Sequence, residues 1–499
     1  MYNRFDSPFL PKIAIVVPTY NEAETIVDSV GSLVDLNYPR TEIVLVNDGS
    51  TDDTLPELIG AFDLGRIDAD IPVEINAEPV RGVYRSGTVA ELVVIDKENG
   101  GKGDALNAGI WFADAPLFCA LDADSLIDRE GLLGAVEPFL RRPDETVATG
   151  GTVRVVNGCT VEFNQVTEVT TSNRLITELQ KMEYLRAFYS GRLGLSRLRG
   201  PVLISGAFGL FRTDLVREIG GYDTDSITED LALVVRLHRY LLDAEREYHV
   251  EFVPEPVVRT QVPEDWSALA RQRRRWYRGL IDTLVRERDM IANPQYGRVG
   301  IFAMPIFTFA EAIGPLIEGL GYVLVPIAFL LGAVNFPFVV LFFATTVAVG
   351  VFLSWFGVLS EVYSFRWYDD PRDVLVLLGH GVLENFGYRQ WKALVAWQGL
   401  YEYLRGDTEW GEMSRRRFTD AVAGGTNASD GAIGRGAAGN GAKNDRAAGD
   451  RTTTDGTTAG TLSREREAES VITPMADDET TGTTGDGTAG SSVESDGRR

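Results

Sequence analysis

The run Glu42-Ile43-Val44-Leu45-Val46-Asn47-Asp48-Gly49-Ser50 decides the fold. Its apolar part shows no alternation, so it reads as a strand buried on both faces, the kind found inside parallel sheets. Its polar part carries a carboxylate and turns at a glycine. The pattern recurs along the chain. Ile13-Ala14-Ile15-Val16-Val17 is an earlier apolar run, closed by Pro18, and residues 22–34 read as the helix between the two. Glu91-Leu92-Val93-Val94-Ile95 and Leu117-Phe118-Cys119-Ala120-Leu121 repeat it, each leading into a polar or glycine-bearing loop. This alternation over residues 12–260 predicts an α/β fold with an open, mostly parallel sheet. Ligands of such sheets bind at the carboxyl ends of the strands.

The loops at those ends carry the chemistry. Asp48 can accept hydrogen bonds from the base or ribose of a nucleotide, or it can cap the helix expected near Asp52 and Asp53. Gly100-Gly101-Lys102-Gly103-Asp104-Ala105-Leu106-Asn107 is a glycine-rich turn entering a helix, without P-loop spacing. Such a turn lets backbone approach a ligand and places Lys102 for a phosphate; a plain helix start is the alternative. Asp122 and Asp124 follow an apolar strand one residue apart. Two carboxylates so placed can share a hard divalent cation that also takes diphosphate oxygens. In so acidic a chain the same spacing also arises by chance. Asp230, in Thr228-Glu229-Asp230, opens a helix patterned by Leu231, Val234, Val235 and Leu237. It is placed to act as a general base, or simply to favour a helix N-terminus. Gln272, Arg275 and Trp276 share one face of a helix over residues 266–286. The arginine suits diphosphate oxygens and the tryptophan a sugar ring. Arg271, Arg273 and Arg274 suit lipid phosphate, as on a basic membrane-surface helix.

The formal charge of -24 argues against nucleic-acid binding. Only six of the 48 lysines and arginines are lysine, and an acidic, lysine-poor surface fits a very salty cytoplasm such as that of a salt-loving archaeon. The two cysteines and three histidines lack ligand spacing, so neither a disulfide framework nor a zinc site is expected. Residues 1–11 are short and polar, unlike a signal peptide.

From residue 299 to 359 the only charges are Glu311 and Glu318. Residues 301–334 and 336–359 are each long enough to span ~30 Å of hydrocarbon, with Pro315 and Pro326 placed to split the first into interfacial and spanning pieces. Residues 373–404 carry Glu384, Asn385, Arg389 and Lys392, and read as an interfacial or re-entrant helix or a third span. Residues 421–499 are too poor in large apolar side chains to fold, and the sequon at Asn427 reads as a chance match.

Taken together these motifs resemble the membrane-embedded family 2 glycosyltransferases, the group of cellulose, chitin, hyaluronan and poly-N-acetylglucosamine synthases. The resemblance spans residues 11–418. It rests on Pro18-Thr19-Tyr20-Asn21-Glu22, Asp48, Asp122-Ala123-Asp124, Ser205-Gly206-Ala207-Phe208, Thr228-Glu229-Asp230 and the Q-x-x-R-W set of Gln272, Arg275 and Trp276, with Trp410 and Arg415 as a weaker C-terminal motif. It implies a Rossmann-like GT-A catalytic domain over 11–295, a membrane region over 299–404 with two or three spans plus an interfacial helix, and a tail over 421–499. It further implies transfer of a sugar, N-acetylglucosamine or glucose, from a UDP-sugar to a glycan or lipid-linked acceptor on the cytoplasmic face, with inversion to a β-linkage. Asp230 would be the base and Asp122 and Asp124 the ligands of Mg2+ or Mn2+. Asp48, Lys102, Asp122, Gln272 and Arg275 would hold the donor, and Glu229, Trp276, Ser205 and Gly206 the acceptor. Partners would be membrane lipid and further membrane subunits. The alternatives are a single-addition enzyme making a glycolipid or polyprenyl-phosphate sugar, and a non-catalytic subunit of a polysaccharide-export complex. Family members carry helices before the catalytic domain. This chain is expected either to start further upstream or to build its membrane part from the C-terminal half, which puts a closed channel and long-chain processivity in question.

Overall fold

The apolar runs form the middle of a ten-stranded sheet. The computed structural model describes residues 9–69, 77–162, 165–197, 200–365, 367–368 and 370–406. Its strands are β1 (Ile13–Thr19), β2 (Thr41–Asp48), β3 (Leu64–Ile67), β4 (Val80–Ser86), β5 (Leu92–Lys97), β6 (Leu117–Leu121), β7 (Ser125–Ile127), β8 (Thr146–Val155), β9 (Thr160–Glu162), β10 (Gln165–Glu168), β11 (Phe208–Arg212) and β12 (His249–Thr260). The large sheet runs β3-β4-β5-β2-β1-β6-β11-β8-β12-β7, and β9 pairs with β10 apart from it.

The centre, β5-β2-β1-β6, is parallel as the uninterrupted apolar runs require. The flanks are mixed: β3 and β4 run antiparallel, as does β11 between β6 and β8. Both faces are covered, one packed through Ile13, Ile15, Ile43 and Leu45, the other through Ala14, Val16, Val44 and Val46. Helix Lys102–Phe112 lies tightly on β1, since a Cβ on Gly109 would sit 2.3 Å from Val16 Cγ1. Two expected boundaries shift. Pro18 lies inside β1, and the first helix begins at Ile26 rather than at residue 22.

Among the described residues two helices are long and apolar enough to cross a membrane, Val299–Leu330 and Phe336–Phe365. The second, at 30 residues, is ~45 Å long. The first changes character at Pro315. Before it, Val299, Ala303, Met304 and Ala312 pack against Val202, Leu231 and Val235 of the α/β part. From Gly314 to Leu330 no residue is buried. The third stretch is not one helix but two, Pro371–Leu383 and Tyr388–Arg405, separated at Gly387 with φ +96°. The tail, its sequon, Trp410 and Arg415 lie outside the described residues.

Candidate active site

β1, β2, β5 and β6 point the same way, so the loops after Thr19, Asp48, Lys97 and Leu121 leave one edge of the sheet. β11 runs against β6 with Phe208 opposite Leu121, which returns Ser205 and Gly206 to that edge.

Asp48 lies opposite Lys97 on β5. Lys97 is fully buried between two carboxylates, 2.7 Å from Asp48 Oδ1 and in contact with Asp104. Gly100 and Gly101 donate their backbone N–H groups to Asp48 at 3.0 and 2.8 Å. Gly49 sits at φ +66°, and a Cβ there would be 2.7 Å from the Asn99 nitrogen. Asp48 therefore does not cap the next helix, whose N-cap position is Asp53 and whose first residue, Thr54, donates its N–H to Asp52 at 3.0 Å. Asp48 shapes the glycine turn, and any ligand there meets only the acceptor direction those partners leave.

Lys102 is the hub of the site. Its Nζ is 2.7 Å from Asp122 Oδ1, 3.0 Å from Glu229 Oε1 and 3.4 Å from the Gly206 carbonyl. The lysine expected on a phosphate is thus held among carboxylates. Burial alone would depress its ammonium, but Asp122, Glu229 and Asp230 outweigh burial and raise it. Burial, followed by the charge of Asp122, pushes Asp124 up to about 7. A divalent cation relieves that kind of crowding, so this acidic pair fits one. Among the described residues no group of three or more His, Cys, Asp or Glu joins them.

Glu229 and Asp230 are adjacent but differently tuned. Burial would raise Glu229, yet Lys102 and Arg275 outweigh burial and lower it. Burial and the Glu229 charge raise Asp230. One carboxylate stays in an ion pair while its neighbour becomes the better proton acceptor, the division of labour expected of acid–base sites. Asp230 Oδ1 accepts from the Leu231 N–H at 2.8 Å, so its helix-terminal position is used as well. Gly206 packs directly on it: a Cβ there would lie 2.9 Å from Asp230 Oδ2 and 3.2 Å from Lys102 Nζ. Asn107 fixes the approach to this helix, accepting from the Tyr222 N–H at 2.7 Å and donating to the Tyr222 carbonyl at 3.0 Å.

Helix Trp266–Arg286 closes the site. Asp265 caps it through the Ser267 and Ala268 N–H groups at 3.0 and 2.8 Å. Gly279 lets it approach Thr228, where a Cβ would meet Thr228 Cγ2 at 2.3 Å. Arg275 acts electrostatically on both Glu229 and Asp230. The Gln272 Oε1 is buried and takes no hydrogen bond within the protein. Trp276 is stacked by Arg273, whose Cζ is 4.4 Å from the indole centroid. The expectation that Arg273 and Arg274 face lipid phosphate is overturned. Arg273 pairs inward with Glu183 at 3.1 Å and Arg274 with Glu402 at 2.6 Å, leaving Arg271 on the exposed side.

Helix Leu175–Arg186 and the π-helical turn Ala187–Arg192 add residues that the sequence did not reveal. Tyr184 lies within the electrostatic reach of Arg273, Arg192 and Asp124. Arg192 rests 4.3 Å over Phe188, and burial pushes its guanidinium down to about 10 against the pull of Asp230. Lys97 did carry a signal: it ends an apolar strand whose parallel partner ends in Asp48.

Comparison with known proteins identifies the family. Residues 117–367, half of the chain, match the model of glycosyl transferase family group 2, and residues 14–68 match glycosyl transferase family 2. The poly-beta-1,6-N-acetyl-D-glucosamine synthase of Staphylococcus epidermidis is 29% identical over 275 residues, 55% of this chain and 56% of the relative. That of Staphylococcus aureus (strain COL) is 31% identical over 281 residues, 56% and 57%. The chain thus matches little more than half the length of these curated relatives. A mannosyltransferase from Pyrobaculum calidifontis, solved with GDP-Man and Mn2+, aligns with a TM-score of 0.48 at 17% identity, covering 80% of this chain and 89% of that one. The family match spans the metal-type acidic pair, the Thr228-Glu229-Asp230 turn and the Q-x-x-R-W helix alike, and on it the chain belongs to glycosyl transferase family group 2, with a GT-A-like catalytic fold.

Proposed function

We propose that the protein transfers N-acetylglucosamine from a UDP-sugar to a growing glycan at the cytoplasmic membrane face, with inversion to a β-linkage. The observation that carries this reading is that Lys102 gathers Asp122 and Glu229 while Gly206 packs directly against Asp230, in a chain of this family. Its sugar rests on the relatives, whose names specify that polymer.

Asp230 accepts the proton of the acceptor hydroxyl as that oxygen bonds the anomeric carbon, while the bond from that carbon to the diphosphate oxygen breaks on the opposite side. Glu229 and Lys102 keep Asp230 in place, and Gly206 leaves room beside it. Arg275 and Gln272 bind the donor, the buried Gln272 Oε1 accepting from it. Trp276 stacks the acceptor sugar. Asp122 and Asp124 would hold Mg2+ or Mn2+, which when bound offsets charge on the departing diphosphate. Asp48 completes the donor pocket through the turn it shapes. The catalytic domain occupies residues 11–295 and the membrane region 299–404, and the scarce lysine fits a halophilic host. Single addition to a lipid-linked acceptor is the second reading, favoured by the finding of two candidate spans among the described residues.

The test is UDP release by detergent-solubilised protein in high salt with Mn2+ or Mg2+, each UDP-sugar offered singly, with Asp122→Ala as control. Release with UDP-N-acetylglucosamine alone, lost in the control, is the expected outcome. Release with another sugar replaces the donor, and one product mass in place of a ladder selects the single-addition reading. No release, even after added lipid extract, sinks the enzymatic reading.

A further inference from the structure

Arg273 stacks on Trp276 from the preceding turn of the same helix, with its Cζ 4.4 Å from the ring centroid. A guanidinium on an indole is free to leave unless something holds it. Here Glu183 does so, with Oε2 3.1 Å from Arg273 Nη2. Glu183 is itself held from the helix Tyr388–Arg405, by Lys392 Nζ at 2.6 Å and by the Tyr388 hydroxyl, which donates at 2.9 Å. The Arg273 and Glu183 side chains are only 12% and 14% exposed, so solvent screens this pair weakly. Burial would raise the Glu183 carboxyl, but Arg273 and Lys392 outweigh burial and hold it well below the usual range.

The helix that supplies Tyr388 and Lys392 runs alongside the Q-x-x-R-W helix. Gly399 packs against Tyr277 and the Arg274 carbonyl, and Glu402 pairs with Arg274. Its other face leaves Leu394, Tyr401 and Leu404 exposed, as an interfacial helix does. Resting on the reading of Trp276 as the acceptor platform, we propose that Glu183 is a positioning residue. It holds Arg273 under one face of the indole, leaves the opposite face to the acceptor sugar, and ties that platform to the membrane-facing helix Tyr388–Arg405. Removing the Glu183 charge leaves Arg273, Lys392 and the nearby Arg186 to repel one another, and Arg273 then leaves the ring.

The test uses the full chain in detergent. Glu183→Gln keeps the shape and loses the charge; Arg273→Lys keeps the charge and loses the planar stack. UDP release is measured with the active donor, with and without a β-1,6-linked N-acetylglucosamine oligomer, alongside UDP affinity and Tm. We expect each variant to raise the KM for the oligomer about tenfold, with UDP affinity and oligomer-independent hydrolysis within about twofold of the parent. In a Trp276→Leu background the same changes should add less than about twofold, because the partner they act through is gone. Equal losses of UDP affinity, hydrolysis and transfer would show an ordinary structural ion pair and overturn the proposal. So would an unaltered oligomer KM, or full additivity with Trp276→Leu. A parent protein that releases UDP but is indifferent to the oligomer sinks the acceptor reading, and the positioning role with it. Stimulation in the parent with unaltered variants sinks the positioning role alone.

Discussion

The two walls of the site are held by different means. The strand-edge wall, from Asp48 to Asp104, is local. Adjacent parallel strands bring Asp48 to Lys97, and the glycine turn folds back onto the same carboxylate. The helical wall is assembled at long range: Glu183, Arg273, Arg274, Lys392 and Glu402 come from three helices far apart in the chain. A local wall forms with the sheet itself. A long-range wall depends on these three helices docking on one another, and it can shift without unfolding the sheet. Asp230 stands between them, with Gly206 packed against it on one side and the charge of Arg275 acting on it from the other.

The largest expected effect falls on that shared residue. Asp230→Asn should lower the rate of transfer by roughly 10²–10⁴, the usual contribution of a general base. UDP binding should be unaltered if Asp230 acts on the acceptor as proposed. Single-turnover transfer beside UDP calorimetry measures both, and an undiminished rate would remove Asp230 from the chemistry.

The walls themselves separate by stability. Lys97→Met leaves Asp48 and Asp104 buried without their cation, a loss of about 3–5 kcal/mol. Arg274→Gln breaks a pair whose side chains are each a quarter exposed, and should cost under about 1 kcal/mol. Thermal unfolding of the two variants compares them directly. Equal losses would mean that the helical wall is as integral to the fold as the strand edge.

The same contrast explains what the sequence revealed. Apolar runs announce strands, and strands announce which loops share an edge, so Asp48, Lys102, Asp122 and Asp124 were legible together. The sheet's antiparallel flanks were not, because β4 and β11 carry no pattern that distinguishes direction. Thr228-Glu229-Asp230 and Gln272, Arg275 and Trp276 were legible as motifs. Their meeting through Gly279 and Thr228 was not, since close approach depends on tertiary packing. Arg273 and Arg274 were misplaced for a physical reason. An arginine-rich helix near apolar segments has the same composition whether its cations meet lipid or buried glutamates, and Glu183 and Glu402 lie too far away in sequence to show which. Arg192 left no trace because a π-helical turn sets its direction, and Tyr184, on the regular helix before it, because the groups it meets, Arg273 and Asp124, lie far away in sequence.

A milder lesion tests how closely the turn before β11 packs against Asp230. Gly206→Ala would put a methyl 2.9 Å from Asp230 Oδ2 and 3.2 Å from Lys102 Nζ. Displacing a base by a fraction of an ångström to an ångström costs up to roughly 10² in rate. Tm should move little, since Gly206 is only partly buried. A wild-type kcat would mean that Asp230 is free to adjust its position.

The smallest effect is a shift along the pH axis, and it reports on the tuning itself. Asp230 must be deprotonated to accept a proton, so activity falls as pH drops through its pKa. Burial and the Glu229 charge raise that pKa, which places the acid limb of kcat/KM above the ordinary aspartate range. Glu229→Gln removes the like charge and frees Lys102 to act on its remaining carboxylates. Both changes favour ionised Asp230, so the limb should move to lower pH even as the maximal rate drops. An upward move would mean that Glu229 acts chiefly by holding Lys102 near Asp230. The limb would then belong to the arrangement of the lysine and not to repulsion between the two carboxylates.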